Sequence, residues 1–408
     1  MVIRTYKLRL YPSDKQQKKL FQNFDVCKDV YNTLLAESKK LWITRRFNFN
    51  SLIKDIKITC PKYYSRVHSQ VLQNVSDRLN KSFMNFFRRV KEKKSGKKLK
   101  AGFPRFKSRI NSITYPQSGF KVLKCNRLYI SKIGKVPVRL HRMLKGKIKT
   151  MTLKYNNANQ WFVYFSCETE VKKIKHSLKK QIGIDVGIES FAAFSNSELI
   201  ANPRHLFKSE QKLKKFQRKL SRKKKRSHNR KRARVKLAKQ HNNIVNQRKD
   251  FLHKLSSKIT KSYSFIAVEN LTITSMVKNH CFAKYIKDAS WGSFIQMLSY
   301  KAVACGGQLV KVNPSGTTTN CSNCGSWQEM PLSKRIYDCP NCGLLLCRDV
   351  NSAKNILNYS RAGQAQTNTP VDRTASVFSF SEKTSRLKEA GTTRDELLKV
   401  TDAGSHTL

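Results

Sequence analysis

The spacing of apolar residues changes character several times along the chain, and each change predicts an element. Val2 to Leu10 alternates, which predicts a strand with Tyr6, Leu8 and Leu10 on one face. Pro12 and Ser13 then open a helix, with Ser13 and Gln16 at the spacing of a capping box. Leu20, Phe24, Cys27, Tyr31, Leu34 and Leu35 recur at helical intervals. A second helix is predicted from about Ser65 to Lys91 through Val71, Val75, Leu79, Phe83 and Phe87. The lysine-rich KEKKSGKKLK around Gly96 reads as the exit loop of this helical lobe. After Phe103-Pro104-Arg105-Phe106 strands return at Leu128 to Ile130, Val136 to Leu140, Met151 to Tyr155 and Trp161 to Cys167, the last two joined by the turn NNAN. One strand before the helices and several after them predict a small β-barrel (residues 1–11 and 101–178) interrupted by a helical lobe (residues 12–100). The aromatics Trp161, Phe162, Tyr164 and Phe165 occupy both faces of their strand, and most of them are expected in the core.

From Gln181 the pattern shortens. Gln181 to Asp185 is an apolar strand ending in an acid, Gly187 permits a tight turn, and Ser190 to Ser195 predicts the antiparallel return strand. Phe265 to Val268 is another buried strand, followed in the same way by Glu269. Asp349 stands in the first turn of a helix whose apolar face is Val350, Ala353, Ile356 and Leu357, where the helix dipole favours a carboxylate. Between the strands, Leu206 to Ile259 has helix-forming composition with no proline or glycine.

Charge changes the picture next. With 83 Lys and Arg against 25 Asp and Glu, the net charge of +58 on 408 residues requires a polyanionic partner, and nucleic acid is the obvious one. The densest run is Arg222 to Lys236, in which Arg222, Lys223, Lys224, Lys225, Arg226, Arg230, Lys231, Arg232 and Arg234 are candidate phosphate contacts. No secretory or membrane-spanning segment is evident, which places the chain in a reducing, cytoplasmic interior associated with the nucleoid.

Candidate chemistry follows from two patterns. Cys321-x-x-Cys324 and Cys339-x-x-Cys342 are two knuckles, each followed by glycine, with fourteen residues between them. Four thiolates around one ion leave no open position for water, so the expected zinc is structural. Cys27, Cys60, Cys125, Cys167, Cys281, Cys305 and Cys347 show no such pattern and read as small core residues. Asp185, Glu269 and Asp349 form the second pattern. Carboxylates on two strand ends and a helix start suit a phosphodiesterase with two Mg²⁺ ions, Asp185 bridging both.

The segments GIDVGIES, LSRKKKRSHNRKRARVKLAKQHNNIVNQRKDFLHKLS, FIAVENL, KDASWGSFIQMLSYKA, VNPSGTTTNCSNCG and CRDVNSAKNIL together resemble the TnpB family of transposon-encoded RNA-guided nucleases, over roughly residues 1 to 360. The resemblance implies an α+β multidomain fold: a wedge-type β-barrel with an inserted helical recognition lobe, then a ribonuclease H-like (RuvC) α/β nuclease at residues 179–315 and 346–360. A four-cysteine zinc ribbon would occupy residues 316–345. It also implies a guide RNA derived from the transposon end and a double-stranded DNA target beside a short adjacent motif, with both strands cut at one site. The source would be prokaryotic or viral, and the expected assembly is a monomer with one RNA. Carried over, the catalytic, magnesium-binding acids fall on Asp185, Glu269 and Asp349 and the zinc ligands on the four cysteines.

Cys347 departs from the family pattern, standing where an Asp is usual, and is expected to be tolerated because the triad acid is Asp349. Asp288 and Trp291 lie in a shared motif, and read as an N-cap near Ser290 and a core residue. From Arg361 the chain carries seven basic and six acidic residues with little periodicity, and residues 361–408 are expected to be a disordered tail. Two other functions stay open: a nuclease-silent RNA-guided or zinc-ribbon regulator, and an accessory transposase. Tyrosine-nucleophile transposition is disfavoured because the nine histidines include no His-hydrophobe-His pair.

Overall fold

A computed structural model describes residues 2–41, 53, 58, 61–170, 180–331, 333–363 and 365–366. The expected tail therefore lies almost wholly outside the described residues. The chain divides after Glu170 into two compact units. Among the described residues no helix is long and apolar enough to cross a membrane.

The first unit is a seven-stranded sheet formed by β1 (Val2–Leu10), β2 (Ser112–Tyr115), β3 (Phe120–Leu123), β4 (Arg127–Ile130), β5 (Gly134–Arg139), β6 (Lys147–Tyr155) and β7 (Trp161–Thr169). Its order is β2-β6-β7-β1-β5-β4-β3. The two edge strands follow each other in sequence, and Phe120 beyond their short loop meets Tyr115 at 6.5 Å and Phe165 at 6.2 Å, so the sheet curls into a nearly closed barrel. Tyr6, Leu8 and Leu10 face its core, as their alternation requires. β2 and β3 escape the sequence pattern because each has four residues and β3 buries none of them fully. On β7, Trp161 and Phe165 are core, whereas Phe162 and Tyr164 are half-buried on the outer face, where Lys7 Nζ lies 4.2 Å from the Phe162 ring. Half of these aromatics are core, fewer than expected.

The helices Asp14–Leu41 and Ser69–Lys94 are inserted between β1 and β2. The capping box forms: Gln16 N donates to Ser13 Oγ at 3.4 Å and Ser13 N to Gln16 Oε1 at 3.1 Å. The second helix starts at Ser69, later than its pattern suggests. Its buried stripe ends at Phe86, and Phe87 is 40% exposed. Successive steps of four overrun the 3.6-residue turn, so a stripe begun at Val71 has rotated to Phe86 by its end. Arg78 ties this helix to the barrel, donating to Ser112 O at 2.8 Å and Thr114 Oγ1 at 2.6 Å.

The second unit is built on a six-stranded sheet of order β10-β9-β8-β11-β12-β15. β8 (Gln181–Asp185), β9 (Ser190–Phe194) and β10 (Leu199–Ala201) are antiparallel neighbours, while β11 (Phe265–Glu269) runs parallel to both β8 and β12 (Gln308–Val312). A short β15 (Ala365–Gln366) closes one edge, antiparallel to β12. Helices cover both faces. Ile182, Ile184, Ile266 and Val268 pack with Leu252, Leu255 and Ile259 of the helix His228–Ser262 and with Phe294 and Leu298 of the helix Trp291–Ala304. On the opposite face, Ala267 and Val312 pack with Ile356 of the helix Arg348–Arg361.

Gly183, between Ile182 and Ile184, faces that last helix. A Cβ here would run into the Ala353 carbonyl and lie 3.0 Å from Leu357 Cβ. Absence of a side chain lets the helix settle directly on β8. Gly183→Ala should therefore push the helix off the sheet and destabilise the protein by about 2–3 kcal/mol, read as a lowered denaturation midpoint.

Candidate active site and metal centre

Strand direction explains how distant acids meet. β8 and β11 run in parallel with Ile184 opposite Val268, so Asp185 and Glu269 leave the sheet side by side. Asp349 enters from above, in the first turn of the helix resting on Gly183, and a Cβ on Gly187 in the turn after β8 would lie 3.7 Å from Asp349 Oδ2. Burial, together with the charges of Glu269 and Asp349, holds the Asp185 carboxyl well above its ordinary range, against the Val186 backbone N–H and Arg348. Burial also raises Glu269, opposed by a hydrogen bond from Thr317 Oγ1 at 2.6 Å. Half-buried carboxylates that repel one another either keep a proton or ionise together around a cation. These residues thus fit hard, oxygen-seeking metal ions. They are spread more widely than the ligands of a single ion. Among the described residues, only the cysteine set brings three or more such ligand atoms all within 4.8 Å of one another.

That set, Cys321, Cys324, Cys339 and Cys342, belongs to a small ribbon with β13 (Ile336–Asp338) antiparallel to β14 (Leu345–Cys347). In each knuckle the glycine takes a positive φ (Gly325 78°, Gly343 67°) and donates its N–H to the first cysteine's carbonyl, at 3.0 and 2.9 Å. Ser326 Oγ lies 3.1 Å from Cys324 Sγ and 3.2 Å from Cys339 Sγ, holding Cys324 down to about 5 and Cys339 below the ordinary thiol range. Burial pushes Cys321 up to about 11. An all-sulfur donor set of this shape fits a tetrahedral, borderline-soft ion.

The basic run lies on a helical hairpin. Leu206 to Ile259 is two helices, His205–Ser221 and His228–Ser262, although no proline or glycine separates them. Ser227 caps the second helix by accepting from Arg230 N at 3.1 Å, and Arg226 adopts φ 68°. The Arg230 guanidinium donates to the carbonyls of Leu220 and Lys223, both at 2.9 Å, so this candidate phosphate contact closes the turn. Arg222, Lys223, Lys224, Lys225, Arg226, Lys231, Arg232 and Arg234 are exposed.

Two further readings are corrected. Asp288 is not an N-cap beside Ser290. It lies within the helix His280–Ala289, accepts from Leu206 N at 3.0 Å and pairs with Arg248 at 2.7 Å, joining three helices. Trp291 is core, as expected. Of the unpatterned cysteines, Cys27 and Cys167 are buried, but Cys125 and Cys281 are exposed and Cys305 and Cys347 are half-buried. Cys60 lies outside the described residues. Thr317 and Arg348 are the neighbours of the acids that sequence reasoning missed. Thr317 is 48 residues from its partner Glu269, and no periodicity links them.

Models of three families match: a probable transposase over residues 164–280, a Cas12f1-like TNB domain over 291–356, and a helix-turn-helix domain over 1–46. The described part of the last is one strand and one uninterrupted helix. A putative RNA-guided DNA endonuclease of Streptomyces pristinaespiralis is 33% identical over 380 residues, covering 89% of this chain and 91% of the relative. The chain belongs to the TnpB family. The putative RNA-guided DNA endonuclease InsQ of Escherichia coli K12 is 28% identical, covering 88% of this chain and 93% of its own. In fold, the chain resembles a Cas12f1 solved with sgRNA and target DNA, at TM-score 0.53 and 14% identity, over 90% of this chain and 99% of that one.

Against the usual TnpB pattern, Cys347 occupies the N-cap of the helix Arg348–Arg361 and makes no side-chain cap bond. Cys347→Asp supplies the missing acceptor and should stabilise the protein by about 1 kcal/mol, measured by chemical denaturation. Asp185→Asn, which removes one of the repelling charges, should stabilise the metal-free protein by about 1–2 kcal/mol in EDTA at neutral pH. Adding Mg²⁺ should close most of that gap, and an unchanged melting curve in EDTA would contradict the charge account.

Proposed function

We propose that this TnpB-family chain is a transposon-encoded RNA-guided DNA endonuclease. The observation that carries this reading is the meeting of Asp185, Glu269 and Asp349 at one end of an apolar sheet, half-buried, with the charges of the other two acids acting on Asp185. The strand order around these acids fits a ribonuclease H-like nuclease, and the first unit fits a wedge-type barrel with a helical recognition lobe.

In this reading Asp185, Glu269 and Asp349 hold two Mg²⁺ ions. When bound, such ions supply an activated water and stabilise the leaving oxygen. Asp185, side by side with Glu269 at the strand ends, would be a ligand to these ions, and Asp349 gains from the helix start. Cys321, Cys324, Cys339 and Cys342 hold a structural Zn²⁺. The exposed arginines and lysines of the basic hairpin supply phosphate contacts, whose loss weakens binding irrespective of sequence. A guide RNA from the transposon end reads the target by base pairing, while the protein reads heteroduplex shape and a short adjacent motif. In this reading the protein works as a monomer with one RNA on double-stranded DNA, in the cytoplasm and associated with the nucleoid.

The test is cleavage by the full chain co-expressed with the transposon-end RNA, on plasmids with a matched target beside a randomised flank. Guide-dependent double-strand breaks that enrich one flanking motif and stop in EDTA are expected. Asp185→Ala, Glu269→Ala and Asp349→Ala should each slow cutting by more than about a hundredfold, because ligand loss exceeds what outer-shell changes cost. Cys347→Asp should alter the rate by less than about tenfold, since the cap it supplies acts mainly on helix stability. Target binding without any cut by the parent would point instead to a nuclease-silent regulator.

A further inference from the structure

The loop 313–320, between β12 and the first cysteine, connects the two candidate centres. Its Thr317 is 1% exposed, and its Oγ1 lies 2.6 Å from Glu269 Oε1 and 2.9 Å from Pro314 O. A hydroxyl has one proton to give, and a carboxylate is the stronger acceptor, so Glu269 receives it. A neutral donor fixes one carboxylate oxygen without cancelling the charge. Oε2 stays available to a cation.

Thr317 is itself held in place. Asn355 Nδ2 donates to the carbonyls of Thr317 and Asn320 at 2.9 and 2.7 Å, and Asn351 Nδ2 donates to Asn320 O at 2.8 Å. Asn351 Oδ1 accepts from Ser322 N at 2.8 Å, inside the first knuckle. Both asparagines are buried, one turn apart on the helix Arg348–Arg361 that carries Asp349. Breaking such bonds strands buried polar groups, which costs more than the bonds themselves contribute. The first knuckle, Thr317 and the helix carrying Asp349 are therefore one hydrogen-bonded body with Glu269 attached to it.

We propose that Thr317 is a positioning residue for Glu269, and that the cysteine ribbon, through Asn351 and Asn355, determines where Thr317 stands. The ribbon then aligns an acid of the nuclease site in addition to any contact it makes with nucleic acid. The proposal rests on the nuclease reading given above.

The test uses the full chain with its guide RNA. Single-turnover cleavage is followed against Mg²⁺ for the parent, Thr317→Val, Thr317→Ala, Thr317→Ser and Asn355→Ala. Mn²⁺ affinity is measured on the same proteins by electron paramagnetic resonance without DNA, with zinc content and melting temperature as folding controls. Thr317→Val and Thr317→Ala should lower the rate at saturating Mg²⁺ and weaken Mn²⁺ binding by about 10–100-fold, with zinc content unchanged. Thr317→Ser, which restores the hydroxyl, should recover both to within about threefold. Asn355→Ala should reproduce the valine variant in both readouts, and parent-like behaviour would overturn the ribbon's part in the proposal. Parent-like Mn²⁺ affinity in Thr317→Val, or a serine variant as impaired as the valine one, would overturn the role of Thr317. If the parent cuts no DNA, the nuclease reading fails, and the Mn²⁺ comparison alone decides Thr317 by the same two outcomes.

Discussion

Three carboxylates held against their mutual repulsion set the terms for the second unit. Burial raises the cost of the charges on Asp185 and Glu269, and the neighbouring charges raise it further at Asp185. Such an arrangement persists only if the scaffold beneath is rigid and well packed. The parallel pairing of β8, β11 and β12, with apolar helices on both faces, provides that rigidity. The missing side chain at Gly183 lets the helix Arg348–Arg361 bring Asp349 to the strand ends. Packing in the sheet and chemistry at its edge are thus parts of one constraint.

The ribbon answers to the same constraint. It is inserted between the strand that flanks Glu269 and the helix that carries Asp349, so both of its connections end beside an acid. One connection passes Thr317 to Glu269. The other ends at Arg348, buried beside Asp349 with Nη1 donating to the carbonyls of Pro331 and Lys334 at 3.4 and 3.3 Å. A metal bound by four thiolates would contribute folding free energy to these connections, since the ligands are gathered only in the folded chain.

The basic hairpin shows how an excess of charge is divided between structure and partner. Most of its cations are exposed in the described structure, whereas Arg230 is spent on two carbonyls at the turn. Asp288 likewise serves as a three-helix joint through Arg248 and Leu206. In a chain of net charge +58, acidic residues with a fixed partner are structural markers as much as chemical ones.

The amino-acid sequence by itself determined whatever depends on neighbours along the chain. The alternation of β1, the capping box at Ser13 and Gln16, the apolar strands that end at Asp185 and Glu269, and the cysteine knuckles with their glycines were all legible, because dihedral preference and periodicity are local. Tertiary structure decided the rest. The short strands β2 and β3 exist only because the barrel pairs them, and the hairpin break at Arg222–Ser227 has no helix breaker to announce it. The partners Thr317 for Glu269 and Leu206 for Asp288 lie 48 and 82 residues away. Such pairings are chosen by how layers stack, and no period in the sequence encodes them.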